Sequence, residues 1–153
     1  MTRAQAKAAI DAAIQQNIAG PAKGLAALLP AELLEGKLFE AKVLVLLAKR
    51  LLSREKLRTR LVSGNNLQLS SSPGPVRRNR PYMQLVAPNG VAVAELWTDT
   101  EFLTLSHARS GAPPVGFRSG FYHELDLLVL DAKNPVADGD FPRHDQIWLG
   151  GRV

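Results

Sequence analysis

FYHELDLLVLDAK, residues 121–133, decides how this chain folds. Its centre, Leu127 to Leu130, is an unbroken Leu/Val run, which predicts a strand covered on both faces, because a strand lying half in water alternates apolar with polar residues. At its mouth stand His123, Glu124 and Asp126. A carboxylate that begins so apolar a strand needs a partner, since an unpaired buried charge is costly.

Working outward, the residues before this strand predict several more. Lys56–Gly64 and Asn65–Ser72 (NNLQLSSS) alternate as strands do. Tyr82–Ser106 reads as two or three antiparallel strands, with Pro88-Asn89-Gly90 making the first turn. SSSPGPVRRNRP (70–81) and ARSGAPPVGFRSG (108–120) carry loop signals throughout. Beyond the quoted strand, Asn134-Pro135 marks a turn, and Gln146 to Leu149 predicts one further strand.

The N-terminal part is helical by pattern. Arg3 to Ile18 is rich in Ala and Gln, places Ile10, Ile14 and Ile18 four apart, and closes at Gly20-Pro21. GLAALLP (24–30) predicts a short second helical piece, and Pro30 suits the first turn of a long helix over 31–54. On that helix Glu35, Lys42 and Lys49 form a polar stripe, while Glu40 falls on the opposite side among Leu33, Leu44, Leu47 and Leu51. Glu40 therefore poses the question that Asp126 poses: either an arginine or a backbone amide pairs it, or both acids look into one site.

Helices followed by a run of strands predict an α+β or mixed α/β domain, with N-terminal helices (1–29) packed on a mixed β-sheet in a helix-and-sheet core (30–153), a single domain overall. The 153 residues suffice for one core, and 46% apolar with 22% charged residues is the balance of a folded, water-exposed chain. The absence of cysteine excludes disulfides and thiolate metal sites and suits a reducing cytoplasm. Gln and Asp in MTRAQAKAAIDAAIQQ interrupt the apolar core a signal peptide needs, and no apolar run reaches the ~18 residues of a membrane span, so a cytoplasmic protein without membrane contact is expected. A formal charge of +5 favours an anionic partner. Arg77, Arg78 and Arg80, with Arg58 and Arg60 upstream, suit phosphate contacts because guanidinium grips phosphate in two-pronged fashion; the competing reading is a solvated loop.

GKLFEAK around Glu40, the intervening strands and HELDLLVL around Asp126 together resemble the PD-(D/E)xK nucleases of the restriction-endonuclease-like superfamily, over roughly residues 36–149. The resemblance implies a restriction-endonuclease-like core, Asp126 as a direct ligand of Mg (or Mn), Glu40 as a direct or water-mediated one, nucleic acid, DNA above all, as partner, and an acid-x-Lys motif on the following strand. Glu124 and His123 are further candidates for the metal, although a lone histidine at a strand start is commonly structural. Asp131-Ala132-Lys133 has the letters of the motif, but it closes the strand that carries Asp126 instead of opening a new one. No acid-x-Lys occurs from Asn134 to Val153. The missing motif implies either a chain cut inside the apolar pattern IWLGGRV or a relative that has lost catalysis, so weak cleavage or none is expected. The readings open at this stage are a metal-dependent nuclease, a non-catalytic nucleic-acid-binding or protein-interaction module of the same fold, and a structural domain working as a homo-oligomer or within a larger defence or toxin system.

Overall fold

The computed structural model describes residues 2–19, 31–69, 73–111 and 121–151. Helix α1, Arg3–Asn17, begins at a capping box in which Thr2 and Gln5 exchange side-chain and backbone hydrogen bonds, and so satisfies two donors the first turn leaves open. It runs into β1, Ile18–Ala19. Helix α2, Ala31–Arg50, continues into a wider π-turn over Leu51–Glu55 that ends at Lys56 in the left-handed conformation. The short helical piece expected at 24–30 lies outside the described residues.

Five strands follow in antiparallel order: β2 Arg58–Val62, β3 Tyr82–Val86, β4 Ala92–Leu103, β5 Tyr122–Asp131 and β6 Ile147–Gly151. With β1 parallel to β2 they form a six-stranded mixed sheet in chain order. The β3–β4 turn needs a positive φ at Gly90, 85°, which glycine adopts at no steric cost. β5 ends where expected: the Asp131 carboxylate accepts a hydrogen bond from the Lys133 backbone N–H at 2.9 Å, so Asp131-Ala132-Lys133 closes the strand.

The quoted strand is buried on both faces. Leu127 and Val129 join Ile10, Ile14, Leu44 and Ala48 in a core between sheet and helices. Leu128 and Leu130 join Val76, Tyr82, Trp97 and Val136 on the other side, where among the described residues two loops form the cover. Those loops hold each other, since Val76 N–H donates to the Asp140 carbonyl at 2.9 Å and Gly139 N–H to the Val76 carbonyl at 2.8 Å. Because Ile10, Ile14 and Ile18 pack in the same core as the sheet, α1 contributes to the hydrophobic centre of the fold.

Two segments depart from the sequence reading. Residues 65–69 make only a single bridge at Leu67 in place of the strand expected over NNLQLSSS, although Leu67 and Leu69 are both buried. Their alternation therefore records core contact without a hydrogen-bonded ladder. Leu105–Ser110 forms a one-turn helix, α3, where strand end and loop were expected, because the Thr104 hydroxyl accepts from His107 N–H and caps the turn.

Candidate metal centre

Glu40 lies on the buried side of α2, as the helix pattern requires, and its side chain is 11% exposed. Its partner is neither an arginine nor a backbone amide. Lys37, one turn earlier on the same face, donates to Glu40 Oε2 at 2.7 Å and also to Asp99 Oδ1 on β4.

Asp99 is the residue the sequence reading missed. β4 and β5 pair Thr98 with Leu127 and Thr100 with Leu125, so Asp99 falls opposite Asp126. Its φ of 50° is in the left-handed region, an uncommon place for a residue within a strand and one that Asp tolerates better than most. Such a kink re-aims a side chain. The alternation of β5 changes phase at the same level: Leu125 packs with the loop-side cluster and Leu127 with the helix-side one. Strict period-two spacing would group Asp126 with Leu128 and Leu130, whereas its carboxylate meets Glu40 of α2.

Carboxylate oxygens of Glu40, Asp99 and Asp126 all lie within 4.8 Å of one another, and all three residues are buried. The Lys37 ammonium pairs with two of the three carboxylates, those of Glu40 and Asp99. Burial raises the Glu40 pKa above its ordinary value; the contact with Lys37 opposes this, and the neighbouring charges of Asp99 and Asp126 add to it. Burial also works against the charge on Lys37, but hydrogen bonds and attraction to Asp99 and Glu40 outweigh it, so the lysine pKa is raised. Lys37 is thus held as an ammonium, and Glu40 carries the unrelieved part of the repulsion.

Such a cluster suits a hard divalent cation. An ion with oxygen ligands at ~2.1 Å sets neighbouring oxygens ~3 Å apart and opposite ones ~4.2 Å apart. Oxygens already inside 4.8 Å of one another need only small side-chain rotations to share it. An all-carboxylate set without imidazole or thiolate favours magnesium or manganese over zinc or copper.

The other expected site residues lie elsewhere. Glu124 sits opposite Glu101 in the β4–β5 ladder, outside the cluster. His123 is exposed, its ring 6.1 Å from that of Phe102, and is likewise not part of it. Arg58 and Arg60 are exposed on β2, with Arg60 donating to the Gln84 side chain at 2.6 Å.

Arg77, Arg78 and Arg80 divide into two kinds. Arg78 is held by the fold: it grips Glu95 in a bidentate pair at 2.9 and 3.0 Å, donates twice to the Val136 carbonyl, and lies 5.7 Å from the ring centres of both Tyr82 and Trp97. Arg77 and Arg80 are exposed, and among the described residues neither guanidinium has an ion-pair partner. They line a cleft of about 240 Å³ that also includes Asp99.

Comparison of the chain with protein-family models, with curated proteins and with solved structures finds no match. No helix among the described residues is long and apolar enough to cross a membrane.

Proposed function

We propose that the chain is a metal-dependent nuclease-like domain, built on a restriction-endonuclease-like core and acting on nucleic acid, DNA in the first instance. The observation that carries this reading is the convergence of Glu40, Asp99 and Asp126 from one helix and two adjacent strands onto a single buried point. Asp99 and Lys37, both earlier in the sequence than Asp126, add a third acid and a lysine beside Glu40 and Asp126.

The three carboxylates would hold magnesium or manganese, which when bound supplies charge neutralisation at a phosphate and a water of lowered pKa. The role of Lys37 follows from its raised pKa. An ammonium donates hydrogen bonds and stabilises negative charge but takes up no proton, so Lys37 orients groups and balances charge while the proton acceptor lies among the carboxylates. Burial raises the Glu40 pKa and so makes it more basic than an ordinary carboxylate.

One observation favours a non-catalytic relative: the described part of β6, Ile147–Gly151, carries no acid and no lysine. Incubating the purified chain with labelled DNA and magnesium or manganese separates the readings. Metal-dependent cleavage that disappears in Asp126→Asn and falls about a hundredfold or more in Lys37→Met is the expected result, the size being that of removing one well-placed charge-stabilising donor. Metal-dependent binding without cleavage indicates the non-catalytic module. Neither cleavage nor metal-dependent binding refutes both.

A further inference from the structure

The cleft beside the acid cluster has two chemically distinct walls. Arg77 and Arg80 supply cationic donors, while Pro75, Pro81 and the largely buried Trp97 supply apolar surface. Asp99 lines the cleft and supplies one carboxylate of the cluster, so the cleft lies directly beside the buried acids. The cleft is built and not incidental. Gly74 bridges to Thr100 on β4, and its carbonyl accepts from Glu101 N–H at 2.9 Å, which fixes one wall directly beside Asp99. Arg78 clamps the other end of the same loop to Glu95, and Arg80 N–H donates to the Arg77 carbonyl at 2.9 Å, so the two free guanidinium groups stand on a turn whose backbone is fixed.

A ligand that satisfies both walls carries an anionic group and a flat, weakly polar body. A nucleotide unit of a single strand has that composition: guanidinium takes its phosphate, and the apolar wall takes the base face. A duplex does not offer it, because a paired, stacked base leaves only backbone exposed and enters a cleft only after unpairing.

We infer that this cleft is a single-strand subsite, in which Arg77 and Arg80 hold a phosphate next to the one at the acid cluster while the neighbouring base lies against Pro75, Pro81 and Trp97. The inference rests on the nuclease-like reading for the direction of the strand, and it extends that reading to a substrate class: single-stranded or end-frayed nucleic acid in preference to intact duplex.

The test is fluorescence anisotropy of a labelled DNA 12-mer, single-stranded and as duplex, with calcium in place of magnesium so that binding is read without turnover. The single strand should bind roughly tenfold or more tightly than the duplex, by the cost of unpairing. Arg77→Ala/Arg80→Ala should remove most of that affinity and flatten the salt slope by about 1.4, for two phosphate contacts at ~0.7 each on single strands. A Mn²⁺ titration of the same double variant should give the wild-type affinity, and its thermal midpoint should be that of the wild type, since both side chains are exposed. Equal binding of strand and duplex, or an unchanged salt slope in the double variant, overturns the subsite. Loss of metal binding in the wild type refutes the metal centre instead, and the salt slope in EDTA then still decides whether Arg77 and Arg80 contact phosphate.

Discussion

Replacing Arg78 by alanine should destabilise the fold, whereas the same change at Arg77 should not, although the two are neighbours of identical type. Arg78 makes two side-chain hydrogen bonds to the Glu95 carboxylate and two to the Val136 carbonyl, between 2.8 and 3.0 Å, and a longer one to the Tyr82 hydroxyl at 3.5 Å. Removing it strands Glu95, whose side chain is 5% exposed and whose remaining donor is the Trp97 indole N–H at 3.2 Å. Breaking a fully buried ion pair costs about 3–5 kcal/mol; because the Arg78 side chain is 28% exposed, water relieves part of this, and about 2–4 kcal/mol is expected. For a chain of this size that lowers the thermal midpoint by roughly 4–16 °C. Arg77→Ala should stay within about 0.5 kcal/mol. Urea denaturation of the two variants gives the comparison directly. Adding Glu95→Gln to Arg78→Ala should recover part of the loss, because no charge is then left buried alone. Similar stabilities for Arg78→Ala and Arg77→Ala would refute the division of the arginines on which the cleft assignment depends.

The acid cluster sets the remaining expectations. Glu40 has a folded-state pKa above its ordinary value, so its contribution to stability is fully present below pH ~4.5 and is lost as pH rises through the raised value; Glu40→Gln should therefore make the metal-free protein more stable at neutral pH and flatten its stability profile across that window, as read by denaturation at several pH values. Lys37→Met removes the ammonium that pairs with the buried Glu40 and Asp99 and should cost about 2–4 kcal/mol at pH 7.5, less in acid, with millimolar manganese restoring part of it. Asp99→Asn keeps a residue that tolerates the left-handed backbone, whereas Asp99→Ala does not, so the alanine variant should be about 1 kcal/mol the less stable of the two while both lose metal affinity.

How much of this was legible in the sequence depends on distance along the chain. Burial of Leu127 to Leu130 on both faces, the turn at Gly90 and the closing of β5 at Asp131 all follow from local pattern, and the structure has them. So does the helix-side burial of Glu40, which the 3.6-residue period dictates. Asp99 was not found because its place opposite Asp126 depends on the β4–β5 register, which the length of the intervening loop does not fix. A signal was nonetheless there, an acid flanked by two threonines in the middle of the strand. Lys37 was also readable: it precedes Glu40 by three residues and so shares its helix face, whereas the nuclease resemblance points to a lysine on the strand after Asp126. Nothing local separates Arg78 from Arg77 and Arg80, because what distinguishes it is Glu95 and Val136, both far along the chain.

Isothermal titration calorimetry of Mn²⁺ into the purified chain at pH 7.5 tests the central claim, that Glu40, Asp99 and Asp126 form a cation site, most directly. The account predicts one saturable site per chain, with the heat lost in Asp126→Asn and in Asp99→Asn while both variants remain folded. An absence of binding heat in the wild type, or undiminished binding in both variants, would contradict it.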